Sequence, residues 1–438
     1  MKSTRLYPQI IFATVLSTVI LLMTGCSGAK EVESQEVSVT IDNVEQIGSY
    51  TGAVEKKIPN GSGKITFASD SGEWTYEGAF SQGSVTDGKV SNMPITITIC
   101  DGDYTGAFNG SVKDGKLNGS GVFEESAEEN AVEYDGEFSN GSISGSGKVS
   151  NLPYNLTLED NEYDGIYNGD TNEGLPNGTG TFDYQDDDKY FNYNGTWADG
   201  KMSGDGNLKT NEFVVHFTDK DREGIFDGQT VDGVPVGEGT FSAVNDDGVS
   251  YEYVGMWKDG LFDGEGTQTF DTDNYCIRKG NFKSGEYRPT PLEFYTSIGS
   301  SKDQSYTISE KSQNFMKNNE KLFLNYTDEI PEDLFESDFK YEAIAKNSSN
   351  FGDKLIKVTG LKIFQIGEED RWGYSATFAL AYDSNYKVYY INLLGKAEDV
   401  YEGDSITLIA LPLDYSTYIS TAGEKIWAIY AAGVTIVK

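Results

Sequence analysis

The sequence predicts a mainly β protein: an elongated antiparallel sheet of stacked hairpins, a short helical connector, and a small five-stranded barrel at the C-terminus. Three observations lead there. Fifty glycines and 28 tyrosines against ten prolines in 438 residues fit many short strands joined by turns rather than a helical bundle. Forty of those glycines lie between Ser27 and Thr290, in register with aromatic residues, and a fixed period marks a repeat architecture. Beyond Pro289 glycine thins out, and an amphipathic helical pattern gives way to strand-like runs.

Charge narrows the function. The chain carries 34 Lys and Arg against 70 Asp and Glu, a formal charge of -36, which excludes a non-specific nucleic-acid binder because phosphate binding needs clustered cations. At 37% hydrophobic and 13% aromatic the chain is too apolar for wholesale disorder.

The N-terminus comes first. Lys2 and Arg5 form a positive n-region and Ile10 to Met23 an apolar stretch, followed at once by Met23-Thr24-Gly25-Cys26. This resembles the lipobox of bacterial lipoprotein signal peptides, with Met where Leu is usual. The resemblance implies that Cys26 is diacylated and becomes the mature N-terminus, holding the chain on the outer face of the bacterial cytoplasmic membrane. An uncleaved membrane anchor is the alternative. The acidic stretch after Cys26 reads as a tether to about residue 43.

The repeats follow. Tyr134-x-Gly136-x-Phe138-x-x-Gly141-x-x-x-Gly145-x-Gly147 recurs unchanged from Tyr193 through Trp197 to Gly206 and from Tyr253 through Trp257 to Gly266. Between these copies runs what reads as a longer variant, Gly106 to Gly121, Gly165 to Gly180 and Gly224 to Gly239. Tyr50 and Tyr76 lead irregular early copies, and Arg278-x-Gly280-x-Phe282-x-x-Gly285 ends the series incompletely, as a cap would, giving nine units. The pattern resembles the MORN repeat, which implies stacked MORN-type β-hairpins over residues 44–290. Tyr at i and Phe or Trp at i+4 share one strand face, and the glycine between them leaves room for a ring to lie flat. The paired glycines closing each unit are expected to set the turn before the next strand.

The region between Ser27 and Thr290 holds 48 acidic and 18 basic residues, either a partner-steering face or a solvated one that keeps the sheet from self-association. Asp160-x-Glu162-x-Asp164-Gly165 imitates the start of an EF-hand loop, but Thr171 stands where the bidentate Glu belongs, so no metal and no cofactor is expected. Cys100 and Cys276 lack the spacing of a zinc or redox motif and read as buried free thiols. His216 reads as structural.

Ile308, Phe315, Met316, Leu322 and Phe323 fall at helical spacing, predicting one amphipathic helix in a connector over residues 291–335. A short helix near Lys340 to Lys346 then precedes five strands, the first with Gly360 at its middle. Helix, kinked strand and the Glu402-Gly403-Asp404 turn resemble the OB-like barrel at the C-terminus of secreted and lipid-anchored Gram-positive proteins, covering residues 336–438. That segment has 14 acidic and 10 basic residues without a basic cluster, so protein or glycan, not nucleic acid, is its expected ligand class.

The domain order is thus a signal peptide over 1–25, a tether over 26–43, repeats over 44–290, the connector and the barrel. With one histidine, no G-x-S-x-G and no H-E-x-x-H, serine-triad and zincin chemistry are excluded. A paired-carboxylate glycosidase stays open, but nothing singles out two acids. The expected function is a non-enzymatic, extracellular protein-binding scaffold. The alternative is a cell-wall glycan binder using an aromatic ladder of Tyr134, Phe138, Tyr193, Trp197, Tyr253 and Trp257.

Overall fold

A computed structural model of the chain describes residues 30–127, 129–158, 161–272, 274–324 and 328–438. The expected signal peptide and the lipid-anchor residue Cys26 lie outside the described residues. Nineteen strands, from Lys30–Ile41 to Glu286–Tyr287, make an antiparallel sheet, and five more close a C-terminal barrel.

The chain divides into two compact units. One holds the described residues up to Ile97 together with Thr105–Phe123 and Glu137–Ser142; the other holds Thr98–Tyr104, Glu124–Gly136 and Ile143–Lys438. In the first, Lys30–Ile41, Val44–Glu55, Ile58–Ser69, Gly72–Ser81 and Ser84–Ile99 pair in sequence order. In the second, each strand from Ser142–Leu158 to Glu286–Tyr287 pairs antiparallel with the next.

The expected tether is corrected by the first strand. Val37, Val39 and Ile41 alternate onto the buried face while Glu31, Glu33 and Glu36 point to solvent. Period-two burial of three β-branched side chains outweighs the local acidity, because the charges never leave water.

Nine hairpins occupy the repeat region, in agreement with the nine units in the sequence, and each turns through two residues. The turn is not made by the closing glycine pair. It is made by Asp199-Gly200 and its equivalents, with φ of +48° and +78°, the two positive values that a type I′ hairpin turn requires. The first glycine of the closing pair, such as Gly204 at φ +59°, sits instead in a bulge opposite the step from Gly195 to Trp197.

The apparent longer variant also dissolves. In those units the ring belongs to Phe108, Tyr167 or Phe226, and it lies against Gly110 and Gly121, Gly169 and Gly180, or Gly228 and Gly239. Counted from those rings, the glycines keep the same intervals as the units led by Tyr134, Tyr193 and Tyr253. The difference lies at i+4, where Val112, Thr171 and Thr230 replace Phe or Trp and are equally buried.

The connector is not one helix. Pro291–Gly299 (α1) starts at a capping box between Thr290 and Glu293, and Glu310–Asn318 (α2) starts at the N-cap Ser309. A 3-10 turn at Glu320–Phe323 follows. Ile308 therefore lies before its own helix, because the Ser309 side chain captures the Ser312 N–H and fixes the start there. A third helix, Tyr341–Lys346 (α3), precedes the barrel.

The barrel strands are Ile356–Arg371, Tyr374–Tyr382, Val388–Leu394, Ser405–Ile419 and Lys425–Val437. They close in the order first, second, third, fifth, fourth, with the third and fifth parallel. Gly360, at φ +71°, stands at a register shift in the pairing of the first strand with the fourth, two residues before the first strand takes up the second at Lys362. Alternation along the strands makes two cores. Ile356, Ile363, Ile391, Leu408 and Ile429 pack with Ile344 of α3, while Leu380, Leu394, Leu411 and Tyr430 pack with Phe294, Phe315 and Phe323 of the connector.

Candidate functional site

The six ladder residues are all core. Tyr134 and Tyr253 are fully buried, and Tyr193, Trp197, Phe138 and Trp257 are exposed by no more than 3%. Each tyrosine ring lies along its own strand across a cross-strand glycine pair, such as Gly195 opposite Gly206. Its hydroxyl donates to the carbonyl three residues on: Tyr193 to Thr196 at 3.1 Å and Tyr253 to Met256 at 2.7 Å. Trp197 sits edge-on to Tyr193 at 5.4 Å and donates Nε1–H to the Gly180 carbonyl at 3.2 Å. Tyr253 and Trp257 meet at 5.8 Å, and Phe138 meets Phe108 at 4.7 Å.

The expectation of rings offered flat to sugars is therefore corrected. Some strands run on past the hairpin proper and return over the rings. In Ser142–Leu158 the chain passes Asn151, at φ +57°, and brings Tyr154 to 6.2 Å from both Tyr167 and Trp197. Tyr154 Oη donates to the Gly200 carbonyl at 2.5 Å, locking the cover down. Phe213 and Phe217 take the same role over Phe226 and Phe262, at 4.9 and 5.2 Å.

What the repeat strands leave in water is mixed, carboxylates among aliphatic side chains such as Ile47, Ile225, Val244 and Val254. Glu133, Asp135, Asp227 and Glu252 are exposed beside buried positions, and Asp221 and Glu223 beside partly buried ones. Of the EF-hand-like run, Asp160 lies outside the described residues, and Thr171 is 2% exposed within its strand. Among the described residues Cys100 and Cys276 are free, as expected, but half-buried rather than buried. Burial pushes the Cys100 thiol up to about 11 and raises Cys276 as well, so neither is a ready nucleophile. Exposed His216 pairs with Asp221 at 2.9 Å.

One cleft does combine rings with charge. It holds about 580 Å³ and runs from the last hairpins to Trp372 and Gly373 of the barrel. Arg278 lines it, opposite Gln268 in the register, and donates from Nη1 to Gln268 Oε1 at 3.0 Å. Its guanidinium lies 5.0 Å from the Phe270 ring centre, and Tyr275 stacks on Phe270 at 4.8 Å. Tyr287 meets Trp372 edge-on at 5.1 Å. Desolvation lowers the Arg278 pKa. The sequence carried a signal for this residue that its reading as a cap passed over: Arg278 stands where the other units place the ladder ring.

Comparison with known families agrees with this geometry. The MORN repeat family model matches residues 50–72, 108–124, 134–150, 167–189, 193–208 and 253–275. The chain carries MORN repeats. All six matches begin on a ladder ring, including Phe108 and Tyr167 of the units first read as longer. No curated protein matches the chain.

Proposed function

We propose that this chain is a non-catalytic, lipid-anchored protein of the bacterial cell surface whose MORN repeats serve as a protein-interaction scaffold. The observation that carries the reading is the division of labour along the repeat strands: the ladder rings and their glycines are used up in the core, and the outward positions hold exposed carboxylates among scattered aliphatic side chains. Recognition then falls to the acidic positions, which suit a partner with a basic surface. Burial of the six ladder rings removes the basis for the glycan alternative. The strand order of the barrel, with its parallel third and fifth strands, supports the OB-like reading, and no role in binding nucleic acid follows from it; a Gram-positive source rests on the sequence resemblance.

Anchoring at Cys26 rests on the sequence signal. Labelling with a fatty-acid analogue should mark the wild type and not Cys26→Ser, which should appear in the medium; equal labelling of both would sink the anchor. For the scaffold, surface cross-linking should trap a protein partner whose affinity drops as salt rises and drops again when Glu133, Asp135, Glu223 and Glu252 are changed together to Gln. A partner held equally well at low and high salt contradicts acid-steered binding.

A further inference from the structure

We propose that the cleft beside the barrel is a binding site for a monocarboxylate carried on an apolar ring, with the guanidinium of Arg278 as its anchor. In the other repeat units the leading position of the motif is a ring, buried against its glycine pair; in the ninth it is Arg278. The exchange sets a cation among rings instead of another ring, with Phe270 at 5.0 Å from the guanidinium and Tyr275, Tyr287 and Trp372 lining the same cleft. A guanidinium carries five N–H donors in a planar fork that fits a carboxylate. Among the described residues Arg278 makes one hydrogen bond, to the amide oxygen of Gln268, and no ion pair. A half-buried arginine set among rings is commonly paired with a carboxylate, and the chain has 70 to offer.

The surrounding charges choose between anions. Asp219 is held by Arg222 at 2.8 Å, Glu286 by Arg288, and Asp246 by Lys220. Asp247 accepts from the Tyr275 hydroxyl. Arg278 is thus the lining cation left without a carboxylate, matching one negative charge. Among the described residues Asp247 is the lining acid left without a cation, so a phosphate dianion would carry its second charge into that field. The cleft volume of about 580 Å³ falls in the range that holds a drug-sized ligand, and its aromatic walls favour a ring over a bare acetate. The site is independent of the scaffold reading.

The test is calorimetric titration of the full chain in detergent with N-acetylphenylalanine, with its neutral amide, and with inorganic phosphate. We expect saturable binding of the acid, at least about tenfold tighter than the amide, since a charge-assisted hydrogen bond lost to a neutral group costs that much or more. Arg278→Gln should erase the preference for acid over amide while keeping the far-UV spectrum of the wild type. A blocked tripeptide ending in phenylalanine separates the two sources of such a group: tighter binding than the single residue assigns a peptide C-terminus, equal binding a small molecule. Equal affinity of wild type for acid and amide overturns the site, as does the absence of saturable binding or a stronger response to phosphate. The wild-type comparison decides the matter even if Arg278→Gln fails to fold.

Discussion

The ring of Tyr253 lies against Gly266, so that a Cβ at residue 266 would stand 2.5 Å from the ring carbon Cε2. Gly266 pairs with Gly255 across the hairpin, and the Tyr253 hydroxyl reaches the Met256 carbonyl at 2.7 Å over the gap they leave. The aromatic and the glycine pair are one device, since the ring is buried only because two side chains are missing.

Gly266→Ala should therefore destabilise the protein through overpacking, by about 1–3 kcal/mol, although the glycine has ordinary backbone angles. Gly367→Ala is the control, because a Cβ there meets nothing within 4 Å. Differential scanning calorimetry should show a lowered transition for the first and nearly none for the second. Equal shifts would mean that backbone entropy, not the ring, sets the cost.

The turn glycines act for a different reason. Gly260 follows Asp259 with φ of +78° and +50°, and a Cβ on it would find ordinary contact 3.6 Å from Val234. Space is adequate and conformation is not, so Gly260→Ala should cost about 1–2 kcal/mol, while Gly260→Asn, which tolerates the left-handed region, should recover much of that loss. Chemical denaturation midpoints of the two variants check the order; a reversed order contradicts a conformational cause.

Trp197→Ala should act on the fold. The indole is 3% exposed, packed edge-on against Tyr167 and Tyr193 at 5.1 and 5.4 Å, and bonded to Gly180. Truncation should cost about 3–5 kcal/mol. Trp427, 56% exposed and stacked on Tyr415 at 5.0 Å, should tolerate the same change with little loss. If Trp197→Ala keeps the wild-type melting temperature, the ladder is not the core.

The periodicity revealed the hairpin count and the strand face that carries the rings, because both follow from spacing alone. The glycine intervals hid which residue leads a unit: Gly106, Gly165 and Gly224 sit one pleat ahead of the true leaders and mimic a longer motif. Burial of the ladder was not legible, because it depends on strands that run past their hairpins, so that Tyr154, Phe213 and Phe217 fold back over rings the motif does not connect to them. The Arg278 cleft was half legible. The substitution of a ring by arginine is visible in the repeat, but the walls come from Trp372, 94 residues further on, and no local pattern connects them.

Alkaline pH should unfold the repeats through the same tyrosines. Desolvation raises Tyr76 and Tyr251 to about 12, and burial also raises Tyr167, Tyr193 and Tyr253, against about 10 in an unfolded chain. Above pH 10 the unfolded chain loses these protons while the folded one keeps them, so the unfolded state binds fewer protons and stability falls as pH rises. The contribution is whole below pH 10 and is lost between about 10 and 12. Stability measured by urea titration should hold its value up to pH 9 and then drop steeply, with tyrosinate absorbance appearing together with loss of strand signal in circular dichroism. Tyr76→Phe, which keeps the ring and removes the ionisation, should make the drop shallower while sacrificing the bond to the Ala79 carbonyl at 3.0 Å. Tyrosinate absorbance that grows fully while the strand signal stays intact would show that the rings ionise in place, and the buried ladder would not be the cause of alkaline unfolding.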